Sequence, residues 1–319
     1  MKLLEQVLIT LAYCDQFGFP LKAEEVKDRL VKLVKLESNQ ENQPQQKSTA
    51  QVVTAVSLTQ VSQVLKNLVK LGLVTQQKPH YALAGQEQNF QLRQQRARFF
   101  KKKQLEISRF VAWISQIPGV KAVALTGSGA MENLKTVNDD LDFLVVTQNH
   151  CLWLVRLLVL LGALFQGKKN WPWQKDHQEA WCFNLWLTVA DLSLPLNRRG
   201  WYEAYEVVQA QWIYDPAQTQ ARFFQANAWV KQYLVAEHWP KEQSSSVVSF
   251  NWLTTAVLLM FNYLAYSLQA GYRRWRFGHQ HEHLTISQAF LHQANTARFV
   301  YQGWLKSVSK LFFVIKKAK

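Results

Sequence analysis

Apolar residues recur at helical spacing at the start of the chain, where Leu3, Leu4, Val7, Leu8 and Leu11 share one face. This spacing predicts a first amphipathic helix. The turn Phe17-Gly18-Phe19-Pro20 ends it, because Pro20 has no amide hydrogen to continue a helix. Val26, Leu30, Leu33 and Val34 predict a second helix from Ala23 to Leu36. Residues 37–51 are rich in Gln and Asn around Pro44, too polar to offset their ordering entropy, and read as a flexible insertion. A third helix opens at Ser57-Leu58-Thr59-Gln60, a capping-box pattern, and continues through Val61, Leu65, Leu68 and Val69 to Gly72. Leu73–Leu83 reads as a hairpin with its tip at residues 76–79. Three helices followed by a hairpin predict a winged helix over residues 1–86.

Beyond it the period changes. A long helix is predicted from Gln86 to Ile114, carrying Arg93, Arg96, Arg98, Lys101, Lys102, Lys103 and Arg109 as a basic wall or a solvated face. Val120–Leu125 is a short apolar strand, and Asn138–Val146 reads as a second. Trp181–Thr188 reads as a later strand whose alternation sets Cys182, Asn184 and Trp186 against Phe183, Leu185 and Leu187. Leu152–Phe165 and Leu253–Tyr272 are the most apolar stretches. Arg156 in the first, and Asn262 and Gln269 in the second, favour buried helices over membrane spans. The second belongs to a helix from about Trp252 to Phe277, expected to pack inward through Leu258, Leu259, Phe261, Tyr263 and Leu264.

Composition narrows the classes. With 319 residues, 48% of them hydrophobic, the chain can bury a sizeable core, which excludes wholesale disorder. Its net charge of +15 favours anionic partners: nucleotides, nucleic acid through the basic surface, or an acidic membrane surface. Cys14, Cys151 and Cys182 show neither redox nor metal spacing, which together with the absence of an export signal suggests a cytoplasmic protein with no membrane partner.

The chemistry concentrates where the first strand runs into Thr126-Gly127-Ser128-Gly129-Ala130. Glycine lets backbone approach an anion, and free amides of a helix start near Ala130 would supply donors. On the next strand, residues two apart point the same way, so Asp140 and Asp142 lie side by side while Leu141 and Phe143 enter the core. Paired carboxylates repel unless a cation lies between them, and such oxygens suit Mg²⁺ with substrate phosphates.

Gly127-Ser128 followed by Asp140-Leu141-Asp142 resembles the signature of the polymerase-β-like nucleotidyltransferase superfamily. The segments Tyr13–Leu21, Cys182–Trp186 and Tyr202–Glu206 look like landmarks of a little-characterised microbial group. In that group a winged helix precedes the nucleotidyltransferase domain and a helical region follows it. The resemblance implies an α/β (α+β) chain: a winged helix at 1–86, a basic helix plus a mixed nucleotidyltransferase sheet at 87–215, and a helical region at 216–319. It further implies that Gly127 and Ser128 hold a nucleoside triphosphate, and that Asp140 and Asp142 hold Mg²⁺. A nucleoside monophosphate would then pass to the hydroxyl of an unidentified acceptor. Asn184 stands where the third catalytic carboxylate is expected, and an amide is neither a base nor a strong metal ligand. Asp191, Asp139 and Glu132 are the acids that could replace it. The alternative is a catalytically weak nucleotide-binding regulator whose winged helix binds DNA. His279, His281 and His283 read as a polar loop, and Trp171-Pro172-Trp173 as loop packing.

Overall fold

The computed structural model describes residues 2–32, 56–168, 180–235, 252–277, 283–291 and 300–309. They form a mixed α and β structure with two sheets. Among them no helix is long and apolar enough to cross a membrane.

The N-terminal module runs α1 (Lys2–Asp15), β1 (Leu21–Lys22), α2 (Ala23–Asp28), α3 (Leu58–Lys70), β2 (Val74–Gln77) and β3 (His80–Leu83). Its small antiparallel sheet has the order β1-β3-β2. Ser57 Oγ accepts from the Gln60 amide at 3.2 Å, and Gln60 Oε1 accepts from the Ser57 amide at 2.8 Å, closing the capping box. Gly72 sits at φ +68°, the left-handed conformation that suits glycine after a helix. Ser57→Ala is expected to cost about 1 kcal/mol through loss of the cap, read as a lower urea midpoint at unchanged slope.

α2 is shorter than its apolar spacing predicts. It stops at Asp28 because the following backbone pairs elsewhere: the Lys32 amide donates to Tyr233 O and the Val235 amide to Leu30 O, both at 2.8 Å. Leu33, Val34 and residues 37–51 lie outside the described residues.

α4 (Gln88–Ile114) leads into the main sheet, built from β4 (Val120–Thr126), β5 (Leu141–Thr147), β6 (Trp181–Thr188) and β7 (Gln211–Tyr214), with β8 (His283–Leu284) and β9 (Gln288–Phe290). The order is β7-β4-β5-β6-β9-β8, and only β5 and β6 run parallel. β8 and β9 correct the expectation of an all-helical C-terminal region, since β9 extends the sheet by pairing with β6. One face of the sheet (Phe143, Val145, Phe183, Trp186) packs on α4 and α6 (Leu152–Phe165). The other (Ala124, Leu144, Val146, Leu187) packs on α7 (Trp201–Gln209), α8 (Thr219–Ala226) and the N-terminal module.

That second core continues across residue 86. Tyr13 stacks on Tyr205 of α7, with centroids 3.8 Å apart and planes 8° apart. Trp304, in a helical segment over 300–309, sets its edge against Tyr13 and Trp201 and donates to Ile9 O at 3.1 Å.

Two helical faces depart from expectation. Part of the basic wall on α4 is structural: Arg93 forks onto Glu25 at 2.7 and 2.9 Å, and Lys103 pairs with Glu106 at 3.0 Å. α9 (Trp252–Phe277) does not pack through Leu259, Phe261, Tyr263 and Leu264, which are exposed. It docks on α6 through Asn262, Ala265 and Gln269, because Asn262 and Gln269 find hydrogen-bond partners there.

Candidate functional site

β4 delivers Thr126 opposite Asp142 of β5, and the chain then turns into a single helical turn, α5 (Gly127–Ala130). The helix thus begins at Gly127 rather than near Ala130. Gly127 has φ +58°, and a Cβ there would stand 3.0 Å from Asp142 Oδ2. Any other residue would be strained and would press on the carboxylate. This close approach places the Gly-Ser turn directly against Asp142. Ser128 lines the same cavity, and its hydroxyl has no hydrogen-bond partner among the described residues.

Asp140 precedes β5 by one residue. Its Oδ1 accepts from the Ala180 amide at 2.8 Å and its Oδ2 faces Cys182 Sγ at 3.5 Å. Asp142 Oδ1 accepts from Asn184 Nδ2 at 2.5 Å, while no donor among the described residues reaches Oδ2. Burial, then the neighbouring charge of Asp140, pushes the Asp142 carboxyl up to about 7, against the lowering effect of the Asn184 hydrogen bond.

β6 is not regular at Asn184. Phe143 pairs with Phe183, but Leu144 pairs with Leu185, so Asn184 is the extra residue of a β-bulge. The bulge reverses the alternation expected for this strand. Phe183 and Trp186 share the α4/α6 side, and Leu185 and Leu187 share the other.

The acids considered as substitutes for Asn184 lie elsewhere or are engaged. Asp191 is tied to Ser287 Oγ at 2.5 Å and Gln288 Nε2 at 2.8 Å and does not line the cavity. Asp139 closes its own turn, accepting from the Lys135 amide at 2.5 Å and from Thr136 Oγ1 at 2.9 Å. Glu132 is exposed. The further acid that meets the Gly-Ser turn is Glu206 of α7, whose Oε2 accepts from the Gly127 amide at 3.2 Å. Burial raises its carboxyl to about 7, the Gly127 amide opposes this, and the charges of Asp142 and Glu203 add to it. Tyr202, one turn before it, is raised chiefly by the Glu206 charge. The sequence pattern singles out Tyr202–Glu206 without giving Glu206 a role. The available signal was two glutamates on a short helix otherwise made mostly of Trp, Tyr, Ala and Val.

These groups share a cavity of about 880 Å³. One wall holds Gly127, Ser128, Asp140, Asp142, Asn184, Glu203 and Glu206. Another part of the lining, a second wall, comes from the N-terminal module and α4: residues 13–19, Asn89, Leu92 and Arg96. Arg96 fixes that wall, donating to Phe17 O at 2.5 Å and to Asn133 Oδ1 at 3.1 Å. Asp15, also in the lining, is raised by burial to about 7, and its Oδ1 has no partner among the described residues.

Among the described residues no group of three or more His, Cys, Asp or Glu side chains is arranged to hold a metal ion. Asp140 and Asp142 supply two carboxylates, the number Mg²⁺ usually takes from protein, the rest of its shell being phosphate and water. Asp142 Oδ2, lacking any donor there, fits that role. Of the other sequence candidates, Trp171, Trp173, His279 and His281 lie outside the described residues, and Lys168 pairs with Glu106 at 2.9 Å. Compared with protein-family models, curated proteins and solved structures, the chain matches none.

Proposed function

We propose that the protein is a Mg²⁺-dependent nucleotidyltransferase, moving a nucleoside monophosphate from a nucleoside triphosphate to an acceptor hydroxyl. The observation that carries this reading is the contact between the Gly127-Ser128 turn and Asp142, which puts the turn's hydroxyl and amides and a donor-free carboxylate oxygen side by side in one cavity. A mixed sheet with Asp140 and Asp142 at the start of a central strand supports the nucleotidyltransferase fold. The helix–strand–helix–helix–strand–strand order, with β1 beside β3, supports the winged helix.

Asp140 and Asp142 would hold the cation, with Asn184 orienting Asp142 through its amide. When bound, Mg²⁺ supplies charge neutralisation at the phosphates and at the attacking and leaving oxygens. Ser128 Oγ and the turn amides hold phosphate oxygens. A phosphate at the Gly127 amide takes the donor that now restrains Glu206 Oε2, so nucleotide binding frees this carboxylate. With its pKa near 7, Glu206 is suited to accept the acceptor's hydroxyl proton near neutral pH. It thereby fills the chemical role that Asn184 leaves open. The wall of residues 13–19 and Arg96 shapes the acceptor side.

The test is calorimetry with each nucleoside triphosphate and Mg²⁺, with pyrophosphate release measured alongside. Asp142→Asn keeps the Asn184 contact but removes the charge, and is expected to abolish Mg²⁺-dependent binding. Unchanged affinity in that variant sinks the assignment. A second reading, a nucleotide-sensing DNA-binding regulator, draws support from α3, whose Gln63, Lys66, Asn67 and Lys70 side chains are exposed. Nucleotide binding without pyrophosphate release, in the presence of cell extract, would favour it.

A further inference from the structure

α9 is inverted relative to an ordinary surface helix. Its polar side chains face inward: Asn262 is 0% exposed and its Oδ1 accepts from the Trp153 amide at 2.8 Å. Gln269 Nε2 donates to Trp153 O at 2.8 Å, and Gln269 Oε1 accepts from Arg156 of α6. Its apolar side chains face outward: Phe261, Leu264 and Leu268 follow one another at three- and four-residue steps, and Leu268 is 66% exposed. α6 is apolar on both sides: Leu152, Trp153, Val155 and Val159 are buried in the core beside Arg156, yet Leu158, Leu161 and Phe165 are exposed, the last 89%. Water-exposed apolar surface on this scale is uncommon on a monomer and marks an interaction face.

We infer that the outer face of α6 and α9 is the interface between two copies of this chain, paired isologously along α9. Size supports this occupant. α9 has 26 residues and α6 has 14, which at 1.5 Å per residue and about 10 Å per helix width offer roughly 600 Å² per chain in projection. Two copies bury about twice that, above the roughly 1,000 Å² a specific interface needs. The three- and four-residue steps are the spacing by which one helix seats its side chains into another. Charge disfavours a lipid surface: an interfacial helix carries a strongly charged face. The only charges of α9 are Arg273, Arg274 and Arg276 near its end, and its opposite face is held by uncharged amides. The interface is independent of the nucleotide site.

The test is light scattering and sedimentation velocity on the full chain from roughly 1 to 100 μM, the range where moderate self-affinities show. The parent is expected at twice the 37.1 kDa chain mass. Leu264→Glu with Leu268→Glu should be monomeric, while Leu71→Glu, an exposed leucine on the N-terminal module, should remain paired. Circular dichroism and the melting curve confirm that the variants fold; should the double variant fail, Met260→Lys takes its place on the same helix. A parent that stays monomeric throughout, or a folded double variant that stays dimeric, overturns the inference. So does a monomeric parent that floats with phosphatidylglycerol vesicles, which would assign the face to lipid.

Discussion

Glu206→Gln is expected to lower pyrophosphate release about a hundredfold or more, the usual contribution of a positioned base, while leaving nucleotide affinity within a few-fold. The amide oxygen of glutamine can still accept from the Gly127 amide, so the turn keeps its shape. What is lost is the capacity to take a proton. The parent's kcat should therefore rise with pH through the neutral range and then level off, its midpoint lying above the free protein's value because bound phosphate removes the Gly127 hydrogen bond that lowers Glu206. The variant should lose that limb. Asp142, raised to about 7 as well, governs binding, so the pH dependence of nucleotide affinity should persist in the variant. Equal kcat in parent and Glu206→Gln across pH 5–9 would remove the base from this helix.

The second large effect is on stability. Asp15 and Asp142 are raised from 3.8, and Glu206 from 4.5, to about 7. An acid whose pKa is higher folded than unfolded binds more protons in the native state between those two values. Stability therefore falls as pH rises from about 4 to about 7, and the loss is complete above that. Glu25, held down by Arg93, and Glu106, held down by Lys168 and Lys103, both despite burial, act in the opposite sense. Their stabilisation is present at neutral pH and is lost as pH falls through the lowered values. The protein without ligands should thus be most stable near pH 5 and less stable at pH 8, each of the three acids losing at most about 3 kcal/mol over the two pH units up to about 7, at about 1.4 kcal/mol per unit, before solvent screening and the mutual repulsion of Asp142 and Glu206 reduce it. Asp15→Asn, Asp142→Asn and Glu206→Gln should each raise stability at pH 8 by about 1–2 kcal/mol and flatten the profile. Asp15 is the sharpest case, since its Oδ1 is unpartnered among the described residues and it takes no part in holding a cation. Urea denaturation at pH 5 and pH 8 decides it: a parent more stable at pH 8 would mean that these three acids do not dominate.

Local physics made much of the chain legible from sequence. The Ser57–Gln60 cap depends on neighbours three residues apart. Trp181–Thr188 and Trp252–Phe277 occupy the ranges their apolar patterns predict, because period and length are properties of the segment itself. Asp140, Asp142 and the Gly-Ser turn could be singled out because their relation follows from one strand and its neighbour. What sequence left undetermined are quantities fixed only by segments distant along the chain. The end of α2 is set by hydrogen bonds to residues 233–235, which local propensity cannot contain. The bulge at Asn184 depends on how β6 pairs with β5, and its one extra residue turns Leu185, Trp186 and Leu187 to the faces opposite those their alternation with Phe183 predicts. Glu206 joins the site only because α7 packs on the Gly-Ser turn, whose Gly127 amide captures the carboxylate. Which face of α9 turns inward was likewise undecided by its pattern. Apolar residues surround most of that helix, and the choice fell to two amides, Asn262 and Gln269, whose burial is favourable only where α6 offers backbone and Arg156 as partners.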